Sequence, residues 1–180
     1  MSVTVLPFRG LAPCIAASAF IAPGARIIGD VKIGEEASVW YNCVIRSDHG
    51  SVHIGARSNV QDGTVIHVTS GEWNTHIGDE VVIGHMAMLH GCKLHDRSFV
   101  GLGAIVMDGC EIETTGMLAA GALLAPGRRI PSGQLWAGRP ARYLRTLTPA
   151  DIEAHSIGVK YYVEHARYHG ICAGTSTVNN

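Results

Sequence analysis

An aliphatic residue recurs every six positions through most of this chain, and a small residue follows it four places later. Ile21, Ile27, Ile33, Val39 and Ile45 form the first run, with Ala25, Val31, Ala37 and Cys43 in the small position. Ile54, Val60 and Ile66 form the second, Ile77, Ile83 and Leu89 the third, and Leu94, Val100, Val106, Ile112, Leu118, Leu124 and Ile130 the fourth. A period of six fits neither an α-helix nor an alternating sandwich strand. It suits a triangular coil in which each hexapeptide supplies one short strand and one corner, the aliphatic residue filling the interior. Successive turns run the same way, so the strands are parallel. A single turn cannot bury its own apolar side, so the array is stabilised by its length.

Three steps break the period: nine residues from Ile45 to Ile54, eleven from Ile66 to Ile77, and five from Leu89 to Leu94. Insertions in a coil become loops. Past Trp136 the segment GRPARYLR leaves the repeat, and Thr148-Pro149-Ala150-Asp151 reads as a helix start with a capping box and proline at the first helical position. Ile152, His155, Val159, Tyr162, Val163 and Ala166 fall on one helical face expected to pack on the coil. The organisation expected is a lead-in over 1–20, an all-β coil over 21–147, an α-helix over 148–170 and a frayed tail over 171–180.

Composition narrows the partners. The 14 basic and 15 acidic residues leave a net charge of -1 and form no runs, which gives nucleic acid and anionic lipid no footprint. The 22 glycines fit a backbone that turns often. The five cysteines, Cys14, Cys43, Cys92, Cys110 and Cys172, are odd in number and lack CxxC spacing, so no disulfide framework or thiolate metal site is expected, and a cytoplasmic location is. Residues 11–22 resemble a secretory apolar segment, but Pro13 interrupts it and the repeat begins inside it. No apolar stretch reaches the roughly 20 residues of a membrane span.

Counting faces around the coil puts Ile45, Ile66 and Leu89 on the same one, so Arg46, His67 and His90 share one outward column. Members of a column lie about 4.8 Å apart, close enough for two imidazoles to meet one ion. This holds if the five-residue step falls after His90. His85 follows Ile83 by two places, stacks with Asp62 and points away from that column, so it can complete the set only from another subunit of a cyclic trimer. Three imidazoles without thiolates leave a fourth position for water, the pattern of catalytic zinc. Arg46 is expected to face Asp62 across the subunit boundary, Asp48 flanks the same column, and Gln61 suits a hydrogen bond to water or product. His53, His76, His95, His155, His165 and His169 are read as ordinary coil and helix residues, and Cys43 and Cys110 as core.

The segments IRSD, NVQDGTVIH and IGHMAMLHGC resemble the γ-class carbonic anhydrases and their bacterial relatives, and the likeness runs from Ile21 to the C-terminal helix. The resemblance implies a left-handed parallel β-helix, a homotrimer, and zinc (with iron or cobalt as substitutes) held by His67 and His90 of one subunit and His85 of the next. It likewise gives Arg46, Asp48 and Asp62 to the seam and Gln61 to the water beside the metal, and implies reversible hydration of carbon dioxide to bicarbonate. Two departures concern proton export. His49 stands where strongly active members have glutamate, and the loop VTSGEWNTH is short, leaving His49, Glu72 or His76 as candidate proton carriers. The same residues leave open a thioesterase acting on acyl-coenzyme A, a hexapeptide acyltransferase, whose exit segment GRPARYLR resembles, and a non-catalytic metal-binding scaffold.

Overall fold

The computed structural model describes residues 2–172, and the greater part of that span is a parallel β-helix with three faces. On the first face Ile27, Ile45, Ile66, Leu89, Val106 and Leu124 stack in register. On the second, Ile33, Ile54, Ile77, Leu94, Ile112 and Ile130 do so. The third carries Ile21, Val39, Val60, Ile83, Val100, Leu118 and Trp136. The aliphatic residues of all three ladders are buried, Ile21 partly so, and together they make the hydrophobic core.

The corners follow a rule. Three residues after the interior aliphatic, the backbone enters the left-handed region, as at Asn42 (φ 59) after Val39 and Met86 (φ 59) after Ile83. Side chains other than glycine pay for that conformation, and the ladder above and below compensates. The rule fails after Ile45, Ile66 and Leu89, where the corner between the first and second faces is lengthened or shortened, and after Ile27, where the spacing is still six but the left-handed residue is Gly29 (φ 83). After Leu89 the left-handed residue is Gly91 (φ 51), one place early. The five-residue step therefore follows His90, and His90 pairs directly with His67.

Outside the core, the faces differ in character. Lys32, His53, His76, Lys93, Glu111 and Arg129 form a polar ladder on the second face. The first presents Val44, Val65, Met88, Ile105 and Leu123, an apolar column with Val65 and Met88 exposed. The third is covered by the C-terminal helix, Pro149–Cys172, which buries His155, Val159, Ala166 and Gly170. His155 Nε2 lies 3.3 Å from the Ser98 carbonyl oxygen, and the rings of Phe20, Trp40, Tyr162 and His169 pack between helix and coil.

Four expectations need adjusting. The lead-in is already coil: Thr4–Leu6 and Cys14–Ile15 both pair in parallel with Arg26–Ile33, because Ile15 continues the six-residue spacing back from Ile21. The exit segment pairs too, Ala141–Thr146 running antiparallel to Gln134–Gly138. Ile152 is exposed, since the helix's first turn is tied to Arg145 of the exit strand through Asp151 (2.7 and 2.9 Å) and the helix first becomes buried at His155. Ile171 and Cys172 are helical, and the remainder of the expected frayed tail lies outside the described residues.

The capping box closes in both directions, with the Asp151 N–H donating to Thr148 Oγ1 (3.2 Å) and the Thr148 N–H donating to Asp151 Oδ2 (2.7 Å). Thr148→Ala removes the cap and is expected to cost about 1 kcal/mol of stability, read as a lower denaturation midpoint with the β-sheet circular dichroism of the folded protein unchanged.

Candidate metal centre

Strands Val65–His67 and Met88–His90 both end on a histidine at the corner between the first and second faces. Strand register makes the two imidazoles neighbours, with His67 Nδ1 3.0 Å from His90 Nε2. The other nitrogen of each ring is held by a carboxylate: His67 Nε2 by Asp48 Oδ1 at 2.8 Å, and His90 Nδ1 by Asp108 Oδ1 at 2.8 Å. Carboxylates in this position fix which nitrogen carries the proton and which way the ring faces.

This arrangement has a consequence for the space between the rings. When each ring donates its N–H to its own carboxylate, the two facing nitrogens present lone pairs to one another. Their approach is repulsive until a positive species stands between them, either a proton or a metal cation. Two nitrogens in one tetrahedral zinc shell sit roughly 3.3 Å apart, close to the separation found. The residues present therefore fit a divalent cation.

Asp48 and Asp108 both titrate below the usual aspartate range. Burial pushes each upward but is outweighed: for Asp48 by hydrogen bonds from His67 and its own backbone and by the charge of Arg46, and for Asp108 by hydrogen bonds from Thr69 and His90. The thiols nearby are unsuited to metal. Cys43, Cys92 and Cys110 are buried core, and burial pushes the Cys43 thiol up to about 12.

His85 lies at the other end of the first face, in the corner after Ile83, where its Nδ1 meets Asp62 Oδ2 at 2.8 Å. The extended stretch from Ala87 to His90 covers roughly 10 Å, several times a zinc–nitrogen bond of about 2.1 Å. Among the described residues no three His, Cys, Asp or Glu side chains of one chain converge on a point suited to a metal. The chain thus carries two separate histidine groups, His67 with His90 at one corner and His85 at the other, and the apolar column of the first face runs between them.

Of the remaining expected site residues, Arg46 and Asp48 lie at the first corner and Gln61 and Asp62 at the other. Arg46 pairs with Asp48 at the first. Asp62 is engaged by His85 of the same chain. Gln61 is buried beside His85, with its Nε2 donating to Asn59 Oδ1 at 3.0 Å. Both Gln61 and His85 line a cavity of about 480 Å³ between the coil and the helix. His49 is exposed on the strand Val44–Ile54, and Glu72 is exposed in the turn between Thr69 and Trp73. His76 stacks on His53 in the polar ladder (centroids 4.9 Å apart) rather than joining His67 and His90.

Two residues at the centre escaped the sequence reading, Asp108 and Thr69. Asp108 could have been found by extending the ladder one turn, since Val106 stacks on Leu89 and Asp108 follows it by two places. Thr69, in the irregular loop, has no such register.

No protein-family model matches the chain. Curated relatives do. A carbonic anhydrase of Geobacillus kaustophilus is 41% identical over 165 residues, 92% of this chain and 90% of the relative. The chain belongs to the γ-class carbonic anhydrase family. A mitochondrial γ-carbonic anhydrase of Arabidopsis thaliana, gamma carbonic anhydrase 1, is 45% identical over 163 residues, covering 88% of this chain. The chain spans 59% of that plant relative's length and 58% of the second one's. Among solved structures, a candidate acetyltransferase of Bacillus cereus is 38% identical with a TM-score of 0.92, covering 94% of this chain and 98% of the other. A hexapeptide transferase family protein of Anaplasma phagocytophilum is 44% identical with a TM-score of 0.88, covering 91% and 96%.

The lowered titration of Asp48 has a definite sign. A carboxylate depressed in the folded state stabilises the fold above the unfolded value of about 3.9, and the contribution is lost as pH falls through the folded value. Asp48→Asn in this γ-class chain is expected to lower stability by about 1.5 kcal/mol at pH 7, and the difference from wild type in urea midpoint should shrink towards zero near pH 2.

Proposed function

We propose that the protein is a metal-dependent carbonic anhydrase that reversibly hydrates carbon dioxide to bicarbonate at sites shared between subunits of a homotrimer. The observation that carries this reading is the placement of two incomplete histidine sets on either side of one bare apolar face. A cyclic trimer that buries these faces around its axis sets the His67–His90 corner of each subunit against the His85 corner of the next, a heterologous contact that closes. The names of the Geobacillus and Arabidopsis relatives support the same activity.

Zinc is the cation the three-imidazole set suits best, with iron or cobalt as substitutes. Held there, it supplies the Lewis acidity that makes water nucleophilic near neutral pH. The chain's own groups do the rest. Asp48 and Asp108 keep the facing nitrogens of His67 and His90 free of protons. Gln61, fixed by Asn59, orients water or bicarbonate by hydrogen bonding. Arg46 reaches Asp62 of the next subunit while each keeps its own in-chain partner, which makes the seam a network rather than a lone pair. His49 or Glu72, both exposed, passes the released proton to solvent.

Among the described residues no helix is long and apolar enough to cross a membrane, and all five cysteines are free. Free thiols suit a reducing compartment such as the cytoplasm. A second reading, acyl transfer or thioester hydrolysis on acyl-coenzyme A, draws on the transferase names of the two solved neighbours.

Stopped-flow hydration separates the readings. Zinc-replete protein is expected to accelerate carbon dioxide hydration, with at least tenfold loss on chelation and recovery on adding zinc back. Equal rates for the replete and stripped forms, together with turnover of acetyl-coenzyme A, would overturn the proposal.

A further inference from the structure

The loop after His67 touches both histidines. Thr69 donates its hydroxyl to Asp108 Oδ1 (2.7 Å) and lies 3.3 Å from His90 Nδ1. Thr75, at the loop's far end, donates to the His67 carbonyl oxygen (2.7 Å). Between them the chain folds back on itself, the Thr69 N–H donating to the Trp73 carbonyl oxygen at 3.1 Å. The loop is also pinned to the coil. Asn74 Oδ1 accepts from the Ser51 N–H at 2.9 Å, and the indole of Trp73 lies over Gly109. A methyl group built on Gly109 would stand 3.3 Å from the indole, and one on Gly91 would stand 2.6 Å from Trp73 Cβ and 2.3 Å from Asp108 Oδ1. Glycine at these two positions is what lets Trp73 and Asp108 approach.

We propose that the loop 68–75 is a positioning device for His90, in which Thr69 holds Asp108, Asp108 holds the His90 ring, and Trp73 clamps the loop on the coil. The inference deepens the metal reading and rests on it. Asp108 alone could swing about its χ angles, and the imidazole would follow. The Thr69 hydroxyl removes that freedom by fixing the oxygen that receives the His90 N–H. His67 needs no such help, because Arg46 already fixes Asp48 from its other oxygen. The loop thereby does for His90 what the arginine does for His67. Thr69 and Asp108 are positioning residues, acting on the metal through His90.

The test uses the full-length protein and Thr69→Val, Thr69→Ser and Asp108→Asn. Cobalt(II) is titrated into each metal-free protein and followed by its visible absorption, and the imidazole nitrogens of the metal-free proteins are observed by 15N NMR. Thr69→Val and Asp108→Asn are expected to bind cobalt about 10- to 100-fold more weakly, with Thr69→Ser, which keeps the hydroxyl, restored close to wild type. In metal-free wild type His90 should carry its proton on Nδ1, and in Asp108→Asn that preference should relax. Unchanged cobalt affinity in Thr69→Val and Asp108→Asn would overturn the inference, as would a His90 protonated only on Nε2 in wild type. Wild-type protein that binds no cobalt would defeat the metal reading instead, and the NMR result then decides the His90 orientation by itself. If Asp108→Asn fails to fold, the Thr69→Val and Thr69→Ser pair carries the decision, since valine matches threonine in shape.

Discussion

Turns stacked at about 4.8 Å leave room inside the coil for one aliphatic side chain per face per turn, and every other feature depends on that ladder. Because Leu89 must sit on Ile66, the residues after them must also be neighbours, and these are His90 and His67. No loop has to find its way to the centre. The two histidines of the proposed metal site are held together by the same close packing that makes the core, so rigidity of the pair follows from burial rather than from a dedicated scaffold.

The polar chemistry gathers where the coil departs from its own pattern. Regular corners turn through a left-handed residue three places after the aliphatic, and the corner beyond Ile45, Ile66 and Leu89 does not. Freed from that geometry, the chain there links Asp48, His67, His90 and Thr69 one to the next at hydrogen-bonding distance. The opposite corner stays regular, with Met86 in the left-handed position, and presents His85 and Asp62 outward. The two corners are thus built differently, one holding two imidazoles against each other and one presenting a single imidazole outward.

Much of this was legible in the sequence, for a physical reason: a six-residue period fixes which residues share a face without any knowledge of tertiary contacts. It yields the pairing of His67 with His90 and the separation of His85 from both. The helix start at Thr148 was legible because its cap is local. The first turns of the coil were not, since Val5 and Leu6 remain exposed and Ile15 sits in a segment whose composition imitates a leader. Nor was the corner rule, because its third residue is glycine at some corners and Asn42, Arg57, Met86 or Thr115 at others. Asp108 was hidden because it stands two places after its interior aliphatic, outside the column of His67 and His90, and Thr69 by the irregular loop that carries it. Handedness of the coil came from family resemblance, as spacing alone does not distinguish the two hands.

The central claim is that one catalytic centre draws on two subunits, and subunit mixing tests it most directly. His67→Ala and His85→Ala chains, each assembled alone, have every centre short of one ligand. Dissociated, mixed and reassembled, the two should form hybrid trimers. At the boundary where a His85→Ala chain offers His67 and His90 to the His85 of a His67→Ala chain, all three ligands meet. Around a closed ring of three, about one centre in three is then complete, so zinc binding and hydration activity should return to part of the wild-type level. Hybrid trimers demonstrated by mass yet as inactive as either mutant carried through the same cycle would contradict the account and place the metal within single subunits.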